Sequence, residues 1–124
     1  ISSGTWSVSP LTDSLRCDIS FVTAAQGTYY IRVPYACTVT SAKARVTSTI
    51  SGTDDGSITF KDNSGTNMTG GLITIPASSA HGTGVTCSMT ANNTFTANQE
   101  IQLLVSKVTS GGLCSVDITI TRNS

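Results

Sequence analysis

Apolar residues recur at every second position along most of this chain. Leu15, Cys17, Ile19 and Phe21 alternate with Arg16, Asp18 and Ser20. Tyr29, Ile31 and Val33 alternate with Tyr30 and Arg32, and Ile58 and Phe60 with Thr59 and Lys61. Ile101, Leu103 and Val105 share one parity, and Val116, Ile118 and Ile120 alternate with Asp117, Thr119 and Thr121. A period of two puts successive side chains on opposite faces of a strand. Each stretch therefore reads as a half-buried strand, apolar side to a core and Thr or charge to water. The best helix candidate, SAKARVTSTI at 41–50, fails the same test, because Ala42, Ala44 and Val46 also repeat at two.

One switch of parity is informative. Cys37 and Val39 are odd, whereas Ala42, Ala44 and Val46 are even. A strand that keeps its apolar face across that switch needs an extra residue, so a β-bulge is expected near Thr40-Ser41. Turn chemistry separates the strands. Asp55-Gly56 and Ser64-Gly65 bracket the Ile58 strand, Gly70-Gly71 precedes the Ile73 strand, and Gly111-Gly112 precedes the last one. In TIPASSAHGTGVTCSMTANNTF, Pro76 cannot donate to a ladder and closes a strand. SSAHGTG then crosses over, VTCSMT forms the next strand, and ANN turns the chain again.

The pattern predicts an all-β fold: an antiparallel, jelly-roll-like β-sandwich of about eight to ten short strands with little or no helix. Residues 13–124 form the single domain. Residues 1–12, rich in Ser and Thr with one proline, read as an N-terminal arm or edge strand.

Composition narrows the function. Charged residues make up 11% of the 124, and the formal net charge is zero. An average soluble protein has about 25% charged residues. Nucleic acid is a poor partner for such a chain, since phosphate binding needs a clustered positive field. Low charge also weakens the repulsion that keeps copies apart, which permits assembly. No apolar run approaches the roughly 18 residues of a membrane span. The first residues carry neither a basic nor an apolar leader region, so no signal peptide is expected, although the chain begins with Ile.

Candidate chemistry is sparse. His81, the single histidine, lies in SSAHGTG. A nucleophilic site would need a serine in reach and a third group orienting the imidazole, and no GxSxG elbow is present. His81 is expected in an exposed loop. Asp54, Asp55 and Asp62 sit in turn sequences, where Asp caps backbone amides, and their spacing is not that of a calcium loop. No catalytic residue, metal ligand or cofactor is expected. The Asn67 and Asn92 sequons are chance matches in a chain rich in Asn and Thr.

Cys17, Cys37, Cys87 and Cys114 form no CxxC pair, which argues against zinc. All four share parity with apolar neighbours and read as core thiols, with a disulfide between facing sheets as the alternative. Arg32, Lys43 and Arg45 lie on polar faces, either merely solvated or as a docking patch for an acidic surface. Trp6, Tyr30 and Tyr35 are the aromatic contact candidates. One of Tyr29 and Tyr30 must point away from the core, because they are adjacent on a strand.

Four segments carry a resemblance: YYIRVPYACTVTSAKARVT, GSITFKDNSGTNMTGGLITIPASSAHGTG, TANNTFTANQEIQLLV and SVDITIT. From about Thr28 to Thr121 the chain resembles small tailed-phage virion proteins: capsid decoration (cement) proteins and related head- or tail-fibre domains. The resemblance implies a non-enzymatic virion protein on the capsid surface, assembled in the host bacterial cytoplasm. It further implies a homotrimer with the major capsid protein as partner, and brings no catalytic residues. Two other readings stand beside it. One is a tail-fibre or receptor-binding domain recognising host glycan. The other is a secreted adhesin or pilin-like module.

Overall fold

The computed structural model describes residues 11–21, 25–50, 53–107 and 111–123. Among them are nine strands and no helix. These are β1 (Thr12–Ser20), β2 (Ala25–Arg32), β3 (Cys37–Ser48), β4 (Gly56–Lys61) and β5 (Asn67–Ile75). They continue with β6 (Gly84–Ser88), β7 (Thr94–Phe95), β8 (Glu100–Lys107) and β9 (Leu113–Arg122). Trp6 and residues 1 to 10 of the expected arm lie outside the described residues.

The strands form two antiparallel sheets packed face to face. One has the order β1-β9-β3-β6, with β7 also on β3; the other has the order β2-β8-β4-β5. The alternation in the sequence sets the packing. Val116, Ile118 and Ile120 of β9 are buried against Ile101, Leu103 and Val105 of β8 and Ile58 and Phe60 of β4 in one core. Phe21, Phe60 and Phe95 supply its largest rings. Each such side chain contributes about 1.5–3 kcal/mol by leaving water.

The bulge falls where the parity switch puts it. The β3–β9 register shifts between Val39 and Ser41, so Thr40 is the extra residue. Its carbonyl accepts the Met89 amide at 3.1 Å. Asn93 clamps the neighbouring Val39, accepting its amide at 2.8 Å and donating Nδ2 to its carbonyl at 2.6 Å.

One strand boundary differs from the sequence reading. Gly70-Gly71 does not precede a strand; β5 runs through it. Thr59 faces Leu72 while Lys61 faces Asn67, so β5 fits an outward excursion into a ladder that β4 continues with one residue. Gly70 has φ +82°, and a Cβ there would run into the Ser88 carbonyl oxygen of β6. The glycine is needed for close approach of backbone, not for a turn.

The two sides of the sandwich are unlike. On one side β5 meets the chain beyond β6. Thr69 donates to the Ala91 carbonyl at 3.0 Å and accepts from the Thr90 amide at 3.0 Å. On the other side β1 and β2 are both sheet edges. There a side chain makes the link: the Ser20 amide donates to Tyr29 Oη at 3.2 Å. Leu15, Cys17, Tyr29 and Ile31 line this seam half-buried.

Gly70→Ala should lower the unfolding free energy by about 2–4 kcal/mol, from left-handed strain plus the backbone clash. Urea titration checks it: the midpoint falls while the slope is kept. A change below about 0.5 kcal/mol would contradict the close approach.

Candidate functional site

The candidate contact residues fall in three places. Tyr30 and Arg32 stand on the outer face of the β2-β8-β4-β5 sheet, opposite Gln102 and Glu100. Lys43 and Arg45 stand on the outer face of the other sheet. Tyr35 lies at one end, half-buried. They do not form one patch, because β2 and β3 belong to different sheets and their polar sides point in opposite directions.

The two outer faces differ in kind. Across β1, β9, β3 and β6, Arg16, Asp117, Lys43 and Thr86 stand directly opposite one another. The next row holds Asp18, Ser115, Arg45 and Gly84. Charges of both signs are interleaved, and Asp117 stands opposite both Arg16 and Lys43. Ser115 is buried, and its Oγ has no hydrogen-bond partner in the structure. Across β2, β8, β4 and β5 runs a different row: Thr28, Leu104, Thr59 and Leu72. Leu72 is 56% exposed and Tyr30, on the same face, 58%. This face offers exposed apolar area beside the Arg32–Glu100 pair and Lys61.

At the end of the sandwich Tyr35 is held on both sides. Its hydroxyl donates to Asp13 Oδ2 at 3.1 Å, and the Arg122 guanidinium lies 5.0 Å from its ring centroid. Burial, and then the hydrogen bond to Asp13, push the Tyr35 pKa up. The arrangement staples the start of β1 to the end of β9 and leaves Tyr35 less free as an anchor.

The acidic residues act as turn and core partners. Asp62 Oδ1 accepts the amides of Ser64 and Thr66, each at 2.9 Å. Asp55 Oδ1 accepts the Ala77 amide at 2.9 Å, across to the end of β5. Asp54 does what the sequence reading missed. Its Oδ1 lies 3.1 Å from Nζ of Lys107, whose side chain is fully buried. Lys107 also donates to the Asp54 carbonyl at 2.9 Å. The signal was present: Lys107 shares the parity of Ile101, Leu103 and Val105, so β8 aims it inward.

His81 stands exposed in the expected crossover. The loop is pinned by main-chain bonds, Gly82 to Val46 at 2.8 Å and Ile50 to Ser79 at 3.0 Å. No group of three or more His, Cys, Asp or Glu among the described residues is arranged to hold a metal ion.

The four thiols are free. Cys37 and Cys114 are buried, and Cys17 and Cys87 are half-buried. An open cleft of about 370 Å³ lies beside Cys114, lined also by Arg16, Asp18, Ser20, Tyr29 and Thr47. Burial, helped by nearby Cys17 and Asp18, pushes the Cys114 thiol up to about 12, so it offers this cleft no thiolate nucleophile. Burial raises Cys17, Cys37 and Cys87 as well.

The chain matches no described protein family and no curated protein. Solved structures similar to it include two phage capsids. One is a chain of the acidic stable capsid structure of Helicobacter pylori bacteriophage KHP30. Its TM-score is 0.64 at 13% identity, over 94% of this chain and 92% of that one. The other belongs to the Cyanophage Pam1 capsid asymmetric unit. Its TM-score is 0.54 at 14% identity, over 99% of this chain and 93% of that one. What is shared at these identities is the fold.

Two outcomes follow. Asp54→Ala should cost about 1–3 kcal/mol, since Lys107 stays buried with one acceptor fewer while Asp54 is partly solvated; thermal or urea unfolding reads it. The thiols give the fold an alkaline limit. Their pKa values are raised in the folded state, so it holds these protons more tightly than the unfolded chain. Stability is therefore complete below pH 9.0, the ordinary thiol value, and is lost as pH rises toward about 12. Urea midpoints across pH 7 to 11 should fall only at the alkaline end, and at pH 8 a thiol reagent should reach Cys17 and Cys87 well before Cys114.

Proposed function

We propose that this chain is a phage virion structural protein that decorates the capsid exterior. The carrying observation is the end-to-end match to chains of two phage capsid structures, with more than nine-tenths of each partner covered. The strand orders β1-β9-β3-β6 and β2-β8-β4-β5 support the jelly-roll-like path expected from the sequence.

The role is binding without chemistry. A rigid sandwich seated across capsomers adds buried area that resists expansion of the shell. Homotrimers on the surface, with the major capsid protein beneath, are the assembly that the sequence resemblance implies. Of the two outer faces, the one bearing Tyr30, Leu104 and Leu72 is the better contact surface. Its exposed apolar area can be buried, whereas Lys43 and Arg45 already face Asp117 and Ser115 across the strands.

Removing the gene from the phage that encodes this chain distinguishes decoration from shell building. Heads should still form and close, but release DNA at lower temperature, and added purified protein should restore them. Failure to form heads would mean a shell subunit, and unaltered heads with no antibody label would remove the capsid reading. In the add-back assay Tyr30→Ala with Leu72→Ser should weaken retention at least tenfold, against little change for Lys43→Ala with Arg45→Ala.

A further inference from the structure

β1 is an edge strand with one side unpaired among the described residues. The main-chain groups of its odd-numbered residues point to β9. Leu11 accepts the Arg122 amide, and Phe21 exchanges hydrogen bonds with Gly111 and Gly112. Successive residues of an antiparallel strand alternate sides, so Thr12, Ser14, Arg16, Asp18 and Ser20 present theirs to the free edge. Side chains already cap two of these amides. Ser14 donates to Asp13 Oδ1 at 2.8 Å, and Ser20 to Tyr29 Oη at 3.2 Å. Between the two caps the amides of Arg16 and Asp18 face outward.

Natural edges are protected by proline, bulges or a lysine pointing into the pairing surface. β1 has no proline and pairs with β9 through all nine residues without a register shift. Its two outer-face charges, Arg16 and Asp18, are opposite in sign, 68% and 83% exposed, and lie 3.7 Å apart from Nε to Oδ1, a solvent-exposed contact that pairing with a second copy would exchange for two between copies. Turning the strand against itself about Cys17 puts Arg16 opposite Asp18 of a second copy, and Asp18 opposite that copy's Arg16. These are also the positions whose amides face outward. Sliding the register by two in one direction puts Arg16 opposite Arg16; sliding it the other way puts Asp18 opposite Asp18. Charge therefore selects one register out of those the edge allows.

We propose that β1 is a self-complementary docking edge, pairing antiparallel about Cys17 with β1 of a second copy to join two sandwiches in one continuous sheet. The contact is two-fold and isologous. Each hydrogen-bonded pair exchanges two main-chain bonds, so the Arg16–Asp18 pairs supply about four. Stable free dimers bury roughly 1,200–2,000 Å². This edge is shorter than that, so it acts between copies that are crowded or already held side by side. It does not depend on the capsid reading.

Cys17 and its copy form a non-hydrogen-bonded pair, with Cα atoms about 4.5 Å apart, within disulfide range. The full-length chain carrying Cys114→Ala, which removes the thiol nearest Cys17, is oxidised with copper phenanthroline at high protein concentration. A dimer linked Cys17 to Cys17 by peptide mapping is expected. Arg16→Asp or Asp18→Arg alone puts like charges opposite in both pairs and should cut the yield about tenfold. The double reversal, Arg16→Asp with Asp18→Arg, should restore it. A monomer throughout, a dimer linked through Cys87, or a yield indifferent to the single reversals would overturn the proposal, as would a double reversal that fails to rescue. Hydrogen exchange on the unaltered reduced protein reads the same contact without a variant. The Arg16 and Asp18 amides should slow as concentration rises, and unchanged rates would equally refute it. Capsid binding can fail while this test succeeds, and the reverse.

Discussion

Burial of two apolar sheet faces against each other is the constraint on which the rest of the structure depends. With few charges and no helix among the described residues, this chain has one way to remove its Ile, Val, Leu and Phe side chains from water. Two antiparallel sheets must meet face to face, and every strand must keep its parity. Where the chain slips, as at Thr40, a bulge and the Asn93 clamp restore the parity at once. Where it must pass close to a neighbour, as at Gly70, a side chain is given up. Where an inward position carries a charge, as at Lys107, an acid from a turn covers it.

The same constraint leaves the protein with an asymmetric outline. The side where β5 meets the chain beyond β6 is sealed by main-chain hydrogen bonds. The opposite side ends in two strand edges bridged by a tyrosine hydroxyl. One outer face interleaves charges of both signs, and the other carries Tyr30, Leu104 and Leu72 among hydroxyls. A protein built this way has several surfaces suited to contact and thiols held protonated by burial. Its fold is similar to that of chains in two phage capsid structures.

The periodicity of two, the other turn glycines and Pro76 were enough to read an all-β sandwich and the bulge in β3, whereas Gly70-Gly71, inside β5, misplaced one strand boundary. These signals are local: a strand's parity and a turn's backbone demands are written within a few residues. The exposed position of His81 and the turn-capping role of Asp62 were legible for the same reason. What each outer face offers was not legible. Arg32, Lys43 and Arg45 look equivalent along the chain, yet they divide between two faces, because crossing from one sheet to the other reverses which way a polar side points. The ties of Tyr35 to Asp13 and Arg122, distant in sequence, were not legible either.

The sequence by itself therefore determined the class of fold, since one apolar face per strand admits only sheets stacked on sheets. Only the tertiary structure decided which strands became edges, which charges found partners, and which apolar residues remained on the surface. Those outcomes are set by pairings between residues far apart along the chain, such as β1 with β9 and Lys107 with Asp54, and a period of two carries no information about partners.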